Sequence, residues 1–317
     1  MTSHEEHSNA QWADDYFELG EMAFGFGLKD VARMAYEQAS NLGDTRANDR
    51  LLSLEKELAN AADMELVPGA TEHEDDEEDI GELHERLIAQ MDSGDMDAAN
   101  QLGNLMVEVE MYEEAIMFHE IAALEGHTDA QNNLGGDYYS LGDIENSIKW
   151  YTMAAEAGYA LAQNNLATVY MRQSQPHLAM PWLQKAAGAG NTTAKLNLAQ
   201  LLAEQGVLDD ALALIKPIAD SGAAGKIDSE DLANAQNNVG MLYAMMNDLA
   251  SAKRYWLMAS RRAHALALYN LGMFYKSQNE RTLAIEWLKL AARRKHPTAQ
   301  QVIDNYDNDK GWLLEDS

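Results

Sequence analysis

Ala130 to Leu161 reads AQNNLGGDYYSLGDIENSIKWYTMAAEAGYAL. Leu134, Gly135 and Tyr138 fall at i, i+1 and i+4, one face of a first helix. Gly142-Asp143 interrupts it. Ile148, Tyr151, Met153, Ala154 and Ala155 then line a second helix that stops at Gly158, the residue type suited to the left-handed conformation just past a helix end. Gly135 and Ala154 are small enough for the two helices to approach closely, and Tyr138 and Tyr151 fill the space beside them. The stretch predicts two antiparallel helices of about a dozen residues each.

The same string recurs. Ala-Gln-Asn-Asn-Leu stands at Ala130–Leu134 and Ala162–Leu166, and Ala235–Val239 repeats it with Val at the end. The anchoring alanines are Ala98, Ala130, Ala162, Ala194, Ala235, Ala267 and Ala299; five of the six intervals are 32 residues, and the interval from Ala194 to Ala235 is 41. A helix pair of this kind cannot bury both of its faces alone, whereas stacked copies bury a continuous core. The period therefore predicts an all-α protein, an α-solenoid of stacked antiparallel helix pairs.

Leu134, Gly135, Tyr138, Ser147 (where Ala is usual), Tyr151 and Ala154 stand at the signature spacings of the tetratricopeptide repeat, which the chain resembles. The ending Ala-Ala-x-x-Gly-x-x-x-Ala, Ala154 to Ala162, looks more like the Sel1-like repeat, but that family's Gly-x-Gly insertion between the helices is missing. The sequence is a hybrid of the two. The resemblance implies a superhelix with a concave groove, and protein interaction rather than catalysis.

Three regions follow from the same ruler. Residues 1–60 hold one degenerate repeat, marked by Leu19-Gly20, Ala32, Tyr36, Ala39 and Gly43, and a further helix from Ala47. Residues 61–81 hold Pro68-Gly69 and an unbroken acidic run from Glu74 to Asp79, which predicts a flexible linker. Residues 82–317 form the main array: a leading helix, six helix pairs, a last helix after Ala299 and a polar tail.

Charge is strongly polarised. The 317 residues contain 23 Lys and Arg against 52 Asp and Glu, a formal charge of −29. Residues 1–97 carry 26 acidic and 6 basic residues, and residues 250–300 carry 2 acidic and 10 basic. Such a balance speaks against nucleic acid or an anionic membrane as the main partner. There is no Cys, which excludes disulfides, thiolate metal sites and cysteine nucleophiles. No secretory leader and no apolar run of spanning length is visible, and a cytoplasmic location is the expectation.

Catalytic motifs are sparse. His119-Glu120 and His84-Glu85 lack the second His of a zinc helix. Gly222-Ala-Ala-Gly225-Lys226 is too short between its glycines for a phosphate loop and lacks the following hydroxyl residue. No nucleophile elbow or dinucleotide fingerprint occurs. The expectation is a non-enzyme with no cofactor and no metal.

Two sets of residues are candidates for binding. Asn133, Asn165, Asn197, Asn238 and Asn270 occupy one place in five repeats. The resemblance places that position beside the groove, where an amide can bond a peptide backbone, or else tie one repeat to the next. It also places Met171, Arg172, Met241, Met245, Tyr269, Met273 and Lys276 on the groove lining, with methionines suited to adaptable apolar contact or to filling gaps between helices. The second set is a basic edge of Arg261, Arg262, Arg293, Arg294 and Lys295, with the two doublets 32 residues apart. It either complements helix C-termini or holds acidic groups. The expected function is an adaptor for a partner protein or peptide. The alternatives are a solenoid inhibited by its own acidic linker and a self-assembling array, the latter a homo-oligomer.

Overall fold

The computed structural model describes residues 9–25, 29–63, 80–221 and 229–308. Among them are seventeen helices and no strand. The N-terminal helices are α1 (Asn9–Gly25), α2 (Lys29–Asn41) and α3 (Thr45–Asp63), and α4 (Ile80–Asp92) leads into the array. Six pairs follow: α5 (Met96–Glu108) with α6 (Tyr112–Leu124), α7 (Thr128–Ser140) with α8 (Ile144–Glu156), α9 (Ala160–Arg172) with α10 (Pro176–Gly188), α11 (Thr192–Glu204) with α12 (Leu208–Ala219), α13 (Ser229–Met245) with α14 (Leu249–Ser260), and α15 (Ala265–Ser277) with α16 (Arg281–Arg293). Helix α17 (Ala299–Asn308) closes the series. The all-α solenoid read from the period is the observed fold. The acidic run from Glu74 to Asp79 and the Gly222–Lys226 stretch lie outside the described residues.

The chain divides into two compact units, one of Met1–Thr71 with Lys216–Ser317 and one of Glu72–Ile215. In the second unit each pair closes on small residues. A Cβ added to Gly135 would lie 2.7 Å from Cδ1 of Tyr151, so the bare backbone is what lets the tyrosine ring seat against α7. The same contact, always sixteen residues on, joins Gly103 to His119 and, in the other unit, Gly20 to Tyr36, Gly240 to Trp256 and Gly272 to Leu288. Around these knobs the anchoring alanines are fully buried, as at Ala130, Ala162, Ala194, Ala235 and Ala267.

Helix ends follow local chemistry. Asp95, Asp143 and Asp248 cap α5, α8 and α14 by accepting backbone N–H bonds. His127 and His264 do the same for α7 and α15 through Nδ1, a capping role for histidine that the sequence patterns did not disclose. After the second helices, Gly126, Gly158 and Gly190 sit at φ of +88°, +93° and +94°. The last two repeats place Ala263 and Lys295 at this turn, at φ of +60° and +61°.

The longer interval is accommodated locally. Helix α13 begins one turn earlier than the other first helices, at Ser229, so four of the nine extra residues extend it. Gln236 Nε2 still donates to the Ala219 carbonyl, as Gln131 does to Ala123 and Gln163 to Ala155. The sequence separation is 17 in the first case and 8 in the others, so this bond across the joint is kept despite the nine extra residues.

The N-terminal helices pack within the first unit. Leu19 and Ala35 join the apolar cluster of Trp256, Leu271, Trp287 and Leu290, and α1 lies against α16.

Candidate functional site

Each letter of the Ala-Gln-Asn-Asn-Leu string has a separate physical job. The alanine packs, the glutamine bonds a carbonyl of the preceding helix, and the leucine enters the core. The two asparagines meet across the joint between repeats. Asn165 Nδ2 donates to Asn132 Oδ1 at 3.0 Å, Asn197 to Asn164 at 2.9 Å and Asn270 to Asn237 at 3.0 Å. Asn133 reaches both Asn100 and Asn104, each at 3.0 Å. The acceptors Asn132, Asn164 and Asn237 are buried. Asn238 differs: its Oδ1 accepts from Asn237 at 3.3 Å within one helix. Four of the five ladder asparagines, Asn133, Asn165, Asn197 and Asn270, thus donate an amide N–H across the joint between repeats.

Within each unit the first helices present a face beside these asparagines. In the second unit Arg172 lies over the Tyr139 ring at 5.7 Å, and Gln200 donates to Glu204. Met171 is half-buried and packs toward the cluster of Leu183 and Leu198. In the first unit the same face is apolar. Met241 and Met245, one turn apart on α13, are 41% and 55% exposed. Met273 stands at the register of Met241 in the next repeat and is half-buried. Tyr269 stacks on His296 with ring centroids 4.2 Å apart, and Lys276 is half-buried.

The basic residues are not equivalent. Arg261, the C-cap of α14, pairs with Glu18 of α1 at 2.6 Å. Arg262 donates to Gln236 Oε1 at 3.2 Å and to the Met258 carbonyl at 3.4 Å, so its guanidinium braces the joint and the end of its own helix. Arg293 closes α16, Arg294 is its C-cap, and both are exposed with Lys295.

One buried polar cluster escaped the sequence patterns. His119 is 1% exposed and occupies the knob position that Tyr151, Leu183, Trp256 and Leu288 fill elsewhere. Its Nδ1 lies 2.6 Å from Asp137 Oδ2 and its Nε2 lies 3.2 Å from Asn104 Oδ1. The visible signal was Gly103, sixteen residues earlier, which marks position 119 as a knob. Among the described residues no three His, Asp or Glu side chains gather as a metal site requires, and no helix is long and apolar enough to cross a membrane.

Residues 265–295, the α15–α16 pair, match the family model of the tetratricopeptide repeat. No curated protein matches the chain. Among solved structures the chain is similar to c5321, a protective antigen present in uropathogenic Escherichia coli strains that displays an SLR fold, at 22% identity and a TM-score of 0.56, covering 93% of this chain and 64% of that one. It is also similar to the Cut9–Hcn1 hetero-tetramer of the APC/C, at 13% identity and a TM-score of 0.58, covering 87% and 52%. A third is PilW, a type IV pilus biogenesis factor, at 18% identity and a TM-score of 0.54, covering 66% and 97%. The chain therefore spans just under two thirds of the length of the first of these. It carries a tetratricopeptide repeat and has the solenoid fold of the tetratricopeptide and Sel1-like repeat proteins.

Proposed function

We propose that the protein is a non-catalytic adaptor that binds a partner polypeptide on the face lined by the first helices, with its affinity centred on α13 and α15. The observation that carries this reading is the exposure of Met241 and Met245, one turn apart on that face, with Met273 beside them. Flexible thioethers on an otherwise well-packed helix offer an adaptable apolar seat. The asparagine ladder supports the joints beneath it and leaves recognition to these side chains together with Tyr269 and Lys276. Capture from native extract with the wild-type protein and with a Met241→Glu, Met245→Glu variant tests the reading. Polypeptides retained by the wild type should be lost from the variant, which should melt at nearly the wild-type temperature because both positions face solvent. Retention of the same set by both proteins would overturn it.

A regulatory reading has one observation in its favour. The Glu18–Arg261 pair and the Leu19 contact bring the acidic N-terminal helices onto the basic end of the array. The chain's own acidic segment then competes with an acidic partner for that edge. Salt should weaken this contact, since exposed charges are screened over about 8–10 Å.

A further inference from the structure

The second helices share one register, so their outer faces can be compared position by position. Helix α16 buries Leu283, Glu286 and Leu290, whereas their counterparts in α14, Ser251, Arg254 and Met258, are half-buried or exposed. The helix packed against α16 at this face is α1. Leu19 of α1 shares a cluster with Leu290, Tyr16 packs against it, and Glu18 reaches across to Arg261. The outer face of a second helix is therefore, in this fold, a seat for an amphipathic helix. Here a basic host takes an acidic guest.

Helix α6 has the same seat with the opposite charge. Met117 and Ile121 stand at the positions of Glu286 and Leu290, and Leu124 follows one turn on. They are 50%, 36% and 69% exposed, and Met153 of α8, at the register of Ile121, is 42% exposed. Glu113, Met117, Glu120, Ile121 and Leu124 fall within one arc of about 100° on the helix. Residues 98–161 carry 11 acidic residues and 1 basic residue, Lys149. An apolar stripe edged by carboxylates complements a helix whose leucine-type stripe is edged by lysine or arginine. The α16 of a second copy does not offer one, because its outer face is already covered by α1.

We infer that the outer face of α6 and α8 binds a basic amphipathic helix of a partner protein, separately from the first-helix face. A fluorescein-labelled Leu/Lys peptide of about 18 residues, long enough for five turns, serves as the probe. A peptide of identical composition, permuted so that its leucines share no face, controls for the attraction of any cation to so acidic a protein. Anisotropy titration should give at least about tenfold tighter binding of the amphipathic peptide. Met117→Gln with Ile121→Gln and Leu124→Gln should bring the two peptides to equal affinity, and Met241→Gln with Met245→Gln should leave the difference intact. Leu124→Gln alone, at the most exposed position, should lower the preference should the triple variant fold poorly. Equal affinity of both peptides for the wild type would overturn the inference. So would a preference lost only on changing Met241 and Met245. A wild-type dimer by light scattering that the α6 variants convert to monomer would overturn it as well, by making a second copy the occupant.

Discussion

Asn165 Nδ2 donates to Asn132 Oδ1 at 3.0 Å across the joint between two repeats, and Asn132 is 7% exposed. Removing the donor leaves a buried carbonyl oxygen without its partner, and such a group costs about 1–3 kcal/mol. Asn165→Ala should destabilise the second unit by that amount in urea. In a double-mutant cycle with Asn132→Ala the two losses should fail to add by about 0.5–3 kcal/mol. Partner affinity should be unchanged. Additive losses, or a fall in affinity larger than the fall in stability, would show that the ladder faces a ligand.

Ser147 stands where the tetratricopeptide pattern has alanine. Its side chain is fully buried, and Oγ has no hydrogen-bond partner among the described residues. A buried hydroxyl without a partner is unfavourable by about 1–3 kcal/mol on mutational scales. Ser147→Ala removes it without adding volume. The variant should be more stable by about 1 kcal/mol in urea denaturation, and a less stable variant would mean that the hydroxyl is satisfied in solution.

Much of this architecture was legible in the sequence because its cause is local. The 32-residue period fixes six pairs, and Gly158 and Asp143 mark a helix end and a helix start by their own backbone and side-chain chemistry. Contacts distant in the chain left no such trace. Glu18 and Arg261 are separated by 243 residues, and nothing in the spacing of either helix announces the other. The candidate residues divide on the same line. Arg261 and Arg262 were visible as the end of α14, but Gln236 as the brace for Arg262 depends on how two repeats stack. The ladder's place was legible, whereas its bonds to Asn132, Asn164 and Asn237 depend on how the repeats stack. Histidine as an N-cap was hidden because the type rarely serves there, and position 127 or 264 carries no other mark.

Lys295 separates charge from conformation at the basic edge. It holds φ of +61° at the turn where three earlier repeats have glycine. A side chain in that region costs about 1–2 kcal/mol, part of which glycine returns through its freer unfolded state. Lys295→Gly should therefore raise stability by about 0.5–1 kcal/mol while removing one positive charge from the edge. Lys295→Gln keeps the strained backbone and removes the same charge. Should the edge bind acidic groups, both variants lose affinity equally; should the lysine serve only the turn, neither does, and the glycine variant alone melts higher. A glycine variant that melts lower would refute the conformational argument.

His264 makes the capping of α15 sensitive to acid. Its Nδ1 accepts the Ala267 N–H at 3.1 Å while Nε2 faces Asn234 Oδ1 at 2.9 Å, so the neutral ring with its proton on Nε2 satisfies both contacts. Burial pushes its pKa below the usual histidine value, against a smaller opposing pull from Glu230. The sign follows from proton counts. Between the depressed folded value and the unfolded value of about 6.5, the unfolded chain binds more protons, so stability rises with pH across that window. Acidification should therefore remove stability as pH falls from above about 6.5 through the folded value. Protonated Nδ1 also cannot accept the Ala267 bond, so the cap and the charge fail together. His264→Asn keeps a capping acceptor and removes the titration. Thermal melts between about pH 7.5 and 5, spanning the unfolded value, should show the wild type losing stability faster than the variant, with the two converging toward the neutral end. Parallel curves would mean that His264 takes up its proton without disturbing the helix, and that the cap is held by something other than Nδ1.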